Sequence, residues 1–162
     1  MRRPGFTLLE VLVAAAVVGI VAALAADMFA GARLERLEAA IRILENDMAY
    51  ARSRAIASPA DPVVLRVHAD GRGYHLARAA VPDSAIDGPN GPVRVRFGEH
   101  RAASAAGALI SSTGGRDVVF GPFGGVMDPV PSLRVSLDGG TEYSTLALDS
   151  FTGDCAVVYQ SR

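Results

Sequence analysis

Three histidines, a single cysteine, one acid inside an apolar run and sixteen arginines are the side chains with chemistry to offer. His68, His75 and His100 carry the ring nitrogens that metal binding or proton transfer would use. They fall on one strand, a second strand and a loop, and Cys155 is remote from all of them in sequence. His68 and His75 can meet across a hairpin, but two histidines without a third ligand make a weak zinc site, and the pattern reads as isolated surface histidines. Ser111-Ser112-Thr113-Gly114-Gly115 lacks both the Gly-Lys-Ser/Thr ending of a phosphate loop and the Gly-x-Ser-x-Gly frame of a nucleophile elbow. Gly121 to Gly125 has no helix behind it and reads as a turn. Asp149 and Asp154 flank a loop that is short for calcium and joins two good strands. These residues give no enzyme, no metal and no cofactor.

The remaining acid is Glu10, and its setting matters more. It lies alone in an apolar run from Phe6 to Phe29 that is otherwise broken only at Asp27, and Arg2 and Arg3 precede it. At 1.5 Å per residue, Phe6 to Asp27 spans about 33 Å as a helix, enough for a hydrocarbon core. Three ordinary readings are a signal peptide, a plain membrane anchor and a buried helix of a soluble protein. Glu10 argues against each, because a charge inside a spanning segment is expensive and usually has a partner or a function.

Gly5-Phe6-Thr7-Leu8-Leu9-Glu10, behind a basic leader and ahead of an apolar helix, resembles the class III signal of type IV pilins and type II secretion pseudopilins. The resemblance implies that a prepilin peptidase cuts between Gly5 and Phe6 and that Phe6 becomes N-methylated. It also implies that Glu10 pairs with the amino terminus of a neighbouring subunit during assembly. A cationic terminus at the same depth would offset a buried carboxylate. Gly19, among small alanines, is a candidate for close packing of neighbours.

From Ala30 to about Ser58 the chain reads as the same helix continuing into water, ended by Pro59. Leu34, Leu37, Ile41, Leu44 and Met48 form a stripe at spacings of three and four. Ile41 onward is expected on the protein's own sheet; Leu34 and Leu37 are expected against neighbouring subunits. Arg33, Glu35, Arg36, Glu45, Asp47, Arg52 and Arg54 are assigned to the wet surface. Strands are expected at Val63–Val67, Tyr74–Ala79, Val93–Phe97, Asp117–Phe120, Leu133–Leu137, Tyr143–Leu148 and Cys155–Tyr159. The first two form a hairpin and the last three an antiparallel meander. Ala80–Pro92 reads as a loop, Arg101–Gly107 as a short helix or irregular crossing, and Ala108–Ser111 as a weak strand.

Val118-Val119-Phe120 before Gly121-Pro122-Phe123-Gly124, and Phe151-Thr152-Gly153 before Cys155-Ala156-Val157, resemble GspH/FimT-type proteins. The resemblance implies an α+β, pilin-like fold, a long helix packed on antiparallel β-sheets. The expected organisation is a leader at 1–5, a transmembrane and assembly helix at 6–29, an amphipathic helix at 30–58 and a periplasmic β-rich domain at 59–162. The function implied is a minor subunit of a type II secretion pseudopilus or a type IV pilus, helping to initiate or cap the filament. Its partners would be prepilin peptidase, other subunits, the inner-membrane assembly platform and the lipid bilayer. A major filament subunit and a DNA-binding minor pilin are the alternatives. DNA contact would fall on Arg94, Arg96 and Arg134, with Arg66 on another outward face. The formal net charge of −1, or −3 once Arg2 and Arg3 are removed, gives no global pull toward nucleic acid.

Overall fold

The computed structural model describes residues 7–89, 91–127, 129–138 and 142–161; the side chains of residues 25–30, 142 and 161 are outside the description. Gly5 and Phe6, and Gly139 and Gly140 of the expected tight turn, lie outside the described residues. The chain divides into an N-terminal unit ending at Glu35 and a larger unit, Arg36–Arg162.

Helix α1 runs Leu8–Ala57 and ends just before Pro59, with the Ser58 amide closing on the Arg54 carbonyl. Within the larger unit it buries Leu37, Ala40, Ile41, Leu44, Met48, Ala51 and Ala55, a stripe at helical spacing. The small alanines let a sheet approach closely. Each large apolar side chain of the stripe contributes roughly 1.5–3 kcal/mol by leaving water.

The first sheet is built from β1 (Val63–Val67), β2 (Gly73–Arg78), β3 (Val81–Ala85), β6 (Arg94–Arg96) and β8 (Asp117–Phe120). β1 is central, paired antiparallel with β2 and with β8. β3 and β6 share the far edge of β2. Val63, Leu65, Val67, Tyr74 and Leu76 face the core. Because β1 is flanked on both sides, Val64 is buried as well, so its expected alternation is partly lost.

The stretch expected as a loop, Ala80–Pro92, is largely strand. It holds β3 and a two-strand ribbon, β4 (Asp87–Gly88) and β5 (Gly91–Pro92). Its prolines and glycines confine those strands to short edge positions, which hides the pattern from sequence. His100–Ala105 is a 3₁₀ turn. The second sheet follows the order β11 (Cys155–Ser161), β10 (Glu142–Leu148), β9 (Ser132–Leu137), β7 (Ala108–Thr113). The meander is as expected, but β7 is no weak strand: it pairs with β9 from Ala108 to Thr113. β7 thus belongs to the second sheet, although β6 before it and β8 after it belong to the first. Both sheets and α1 contribute to one core, through residues such as Leu44, Leu65, Phe120, Leu133 and Leu146.

Candidate functional site

At the start of α1, Thr7 and Glu10 satisfy each other. The Thr7 amide and hydroxyl donate to Glu10 Oε2 at 2.9 and 3.0 Å, and the Glu10 amide donates to Thr7 Oγ1 at 3.3 Å. This is a capping box, Thr-x-x-Glu, which occupies amide donors that the first helical turn leaves without partners. The sequence carries that spacing, and a reading centred on the charge of Glu10 passes over it. Oε2 takes both Thr7 contacts, and no hydrogen bond to Oε1 is made among the described residues.

Beyond the cap the N-terminal unit has no apolar interior. Leu8, Leu9, Val11, Leu12, Val17, Val18, Ile20, Val21 and Leu24 are all exposed. A methyl group added at Gly19 would meet nothing within 4 Å, so that glycine serves no packing inside the N-terminal unit. Among the described residues no helix is long and apolar enough to cross a membrane. Leu34 is 45% exposed. Leu37, at 2% exposure, is a core residue of the larger unit, and the expectation of a subunit contact there is corrected.

The outward face of the first sheet gathers most of the polar side chains. Antiparallel register sets Arg66 opposite His75 and Asp117, and His75 opposite Arg94. Arg66 is bound by acids on both sides, Asp117 at 2.6 and 2.7 Å and Asp83 at 2.6 Å. The hydrogen bond from Arg66 holds the Asp117 carboxyl below the usual range. Arg94 and Arg96 are exposed on one face of β6, as expected, with Val95 buried between them. Arg96 is engaged by Asp70 at 2.9 Å and Glu99 at 3.4 Å, whereas Arg94 makes no ion pair among the described residues. Arg134 lies on the other sheet, its guanidinium 3.5 Å above the Tyr143 ring. The three arginines proposed for DNA are therefore split between two sheets.

His68 and His75 are not isolated. Nε2 of His68 and Nδ1 of His75 are 3.2 Å apart, with ring centroids 5.3 Å apart. That centroid distance means the two nitrogens meet nearly head-on, the geometry of a hydrogen bond and not of two lone pairs converging on a metal. Among the described residues no group of three metal-ligating side chains occurs.

Asp47 is the largest correction. Expected on the wet face of α1, it is 5% exposed. Arg101 donates to both of its oxygens, at 2.8 and 2.6 Å, and the Tyr74 hydroxyl donates at 2.8 Å. Burial, then the Asp47 charge, pushes the Tyr74 hydroxyl well above its ordinary value. Asp47 sits three residues after Leu44 and four before Ala51, so the helical period does place it beside the stripe. Cys155 is partly buried, its Sγ 3.6 Å from Glu45, and burial followed by that carboxylate pushes the thiol up to about 11. It packs against the core as expected, and is not poised for reaction.

Residues 1–26 match the prokaryotic N-terminal methylation motif. The fold matches the minor pseudopilin EpsH from the Type 2 Secretion System of Vibrio cholerae with TM-score 0.56 at 11% identity, covering 78% of this chain and 97% of that one. It matches the type IV minor pilin FimU of Pseudomonas aeruginosa with TM-score 0.51 at 16% identity, covering 76% of this chain and 87% of that one. The chain thus carries the N-terminal methylation motif and shares the fold of these two proteins. A search of the curated proteins returns no match.

Proposed function

We propose that this pilin-type chain is a minor subunit, helping to initiate or cap a type II secretion pseudopilus or a type IV pilus. The observation that carries the reading is the prepilin motif at residues 1–26 feeding directly into a helix whose Leu8–Leu24 surface is apolar and exposed. Both similar solved structures are described as minor subunits, one from each kind of system, which supports the minor role and keeps both systems. In this reading residues 6–29 hold the chain in the inner membrane, the C-terminal unit lies in the periplasm, and the assembly platform draws the chain into the growing fibre. The Gly5–Phe6 bond is cut, Phe6 is methylated, and Glu10 offers its carboxylate to the amino terminus of a neighbour. DNA capture has less to draw on, because Arg66 and Arg96 are paired with acids and Arg134 lies over Tyr143.

Coexpression with a prepilin peptidase tests the reading. Mass spectrometry should find a chain beginning at a methylated Phe6; an uncut chain, or a cut beyond Ala23, overturns it. Counting subunits in isolated fibres then tests the minor role. A copy number equal to that of the dominant subunit would make this the major one.

A further inference from the structure

A cavity of about 630 Å³ lies within the C-terminal unit beside Asp47. Tyr50 of α1 forms one wall, Gly88, Pro89, Gly91 and Pro92 the opposite one, and His100 and Arg101 the rim. Its polar groups are unbalanced. The acceptors of Asp47 are already taken by Tyr74 and by both arms of Arg101. A guanidinium has five N–H donors, so Arg101 keeps donors to spare. The Tyr50 hydroxyl makes no hydrogen bond among the described residues, and His100 adds a ring nitrogen. Among the described residues the cavity therefore presents donors in surplus, Arg94 with them, and acceptors already spent. Apolar walls of proline and Val93 surround them.

Two backbone features hold this shape. His100 sits at φ 45°, the one described non-glycine residue with positive φ, which directs it onto the rim at a conformational cost. A methyl group at Gly88 would lie 2.7 Å from Val93 Cγ2 and 3.8 Å from the Tyr50 hydroxyl, so a side chain there would crowd the wall that faces Tyr50.

We propose that this cavity receives an acidic side chain, with its apolar flank, from a neighbouring filament subunit. The carboxylate brings acceptors for the remaining donors of Arg101 and for Tyr50 and His100, and prolines with Val93 cover the flanking residue. Pockets of this size with a few converging polar groups are the usual form of a binding site. The proposal rests on the filament reading for its partner, not for its chemistry.

The full-length chain in detergent micelles is titrated with the blocked tripeptide acetyl-Leu-Glu-Leu-amide and with its glutamine counterpart, following the amide signals of Gly88, Gly91 and Arg101. The glutamate peptide should saturate at or below about 1 mM, and the glutamine peptide should not. Tyr50→Phe should weaken binding about fivefold, the weight of one hydrogen bond. His100→Gly keeps the backbone geometry, removes the imidazole and should also weaken it. Equal binding of the two peptides, no saturation, or binding untouched by both variants overturns the proposal. Duplex DNA competing for the same signals would assign the cavity to phosphate instead and equally overturn it. If the peptide binds but the chain never enters a fibre, the site stands and the filament reading falls. If the chain enters fibres and the peptide does not bind, the site alone falls.

Discussion

The His75 ring donates to the Pro82 carbonyl from Nε2 at 2.9 Å, and this fixes what His68 can do. A carbonyl only accepts, so His75 Nε2 carries the hydrogen and Nδ1 is left to accept from His68 Nε2. Burial, then the neighbouring charge of His75, lowers the His68 pKa; Arg94 and Arg96 act with them and Asp70 against.

The sign of the pH dependence follows. The unfolded chain protonates His68 near about 6.5, the folded chain only at lower pH. Above that value the pair costs nothing; as pH falls below it the unfolded state binds more protons and stability declines. Asp117, held low by Arg66 beside Asp83, behaves separately: its contribution is present above its unfolded value of about 3.8 and is lost as pH falls through its folded value. Urea unfolding between pH 8 and 5 should show the first loss, and His68→Leu should flatten it. A slope unchanged in that variant would refute the assignment.

Arg101→Met should destabilise the larger unit by leaving Asp47 buried with only the Tyr74 hydroxyl. Breaking a buried ion pair costs about 3–5 kcal/mol, but the Arg101 side chain is 48% exposed and screened by water, so about 2 kcal/mol is expected. The combined change Asp47→Leu, Arg101→Met and Tyr74→Phe should recover most of the loss. Chemical denaturation of the single and combined variants measures both.

Gly153 has φ 68°, and a methyl group there would lie 2.1 Å from the Gly124 carbonyl oxygen. Gly153→Ala should therefore cost about 2 kcal/mol or more and push the turn before β11 away from the Gly121–Gly125 loop. Gly19→Ala meets open space and should leave the isolated chain intact. A fall in fibre incorporation in that second variant would come from crowding a neighbour. Thermal melts and fibre counts separate the two.

Ser144 is fully buried and its hydroxyl finds no partner among the described residues. Ser144→Ala should stabilise the fold by about 1 kcal/mol, since it removes an unsatisfied polar atom and leaves only a small gap. A lower unfolding midpoint in urea would mean that the hydroxyl is bonded after all.

Thr7 and Glu10 can be separated by substitution. Glu10→Gln keeps an acceptor for the cap and loses the charge; Thr7→Val loses the cap and keeps the charge. Fibre incorporation should fall in Glu10→Gln while helix content in micelles holds. The reverse pattern would make capping, not charge pairing, the reason for the acid.

The elements most legible in the sequence are those with a strong period and short turns. The stripe from Ile41 to Ala55, the β1–β2 hairpin and the β9–β11 meander are all readable in this way. β7 looks weak in sequence because its partner β9 arrives only after β8 has been laid into the other sheet. Asp47 misleads because a charged residue on the flank of an apolar stripe looks wet until a distant Arg101 and Tyr74 are brought to it. The motif around Gly5 and Glu10 is readable because it depends on local residue order and not on tertiary contacts.

The alternation of the chain between sheets has a consequence for how it folds. β8 reaches its place beside β1 only after β7 has departed for the second sheet, and β7 gains β9 only after β8 has returned. The first sheet has all its strands once Phe120 has emerged, whereas the second still lacks β9, β10 and β11. A nascent chain halted before Ser132 leaves the β7 edge open, available to proteases and to other unpaired strands. Closure of the second sheet waits for β9 to β11 at the end of the polypeptide, so its folding is paced by long-range pairing and not by the helix that comes first.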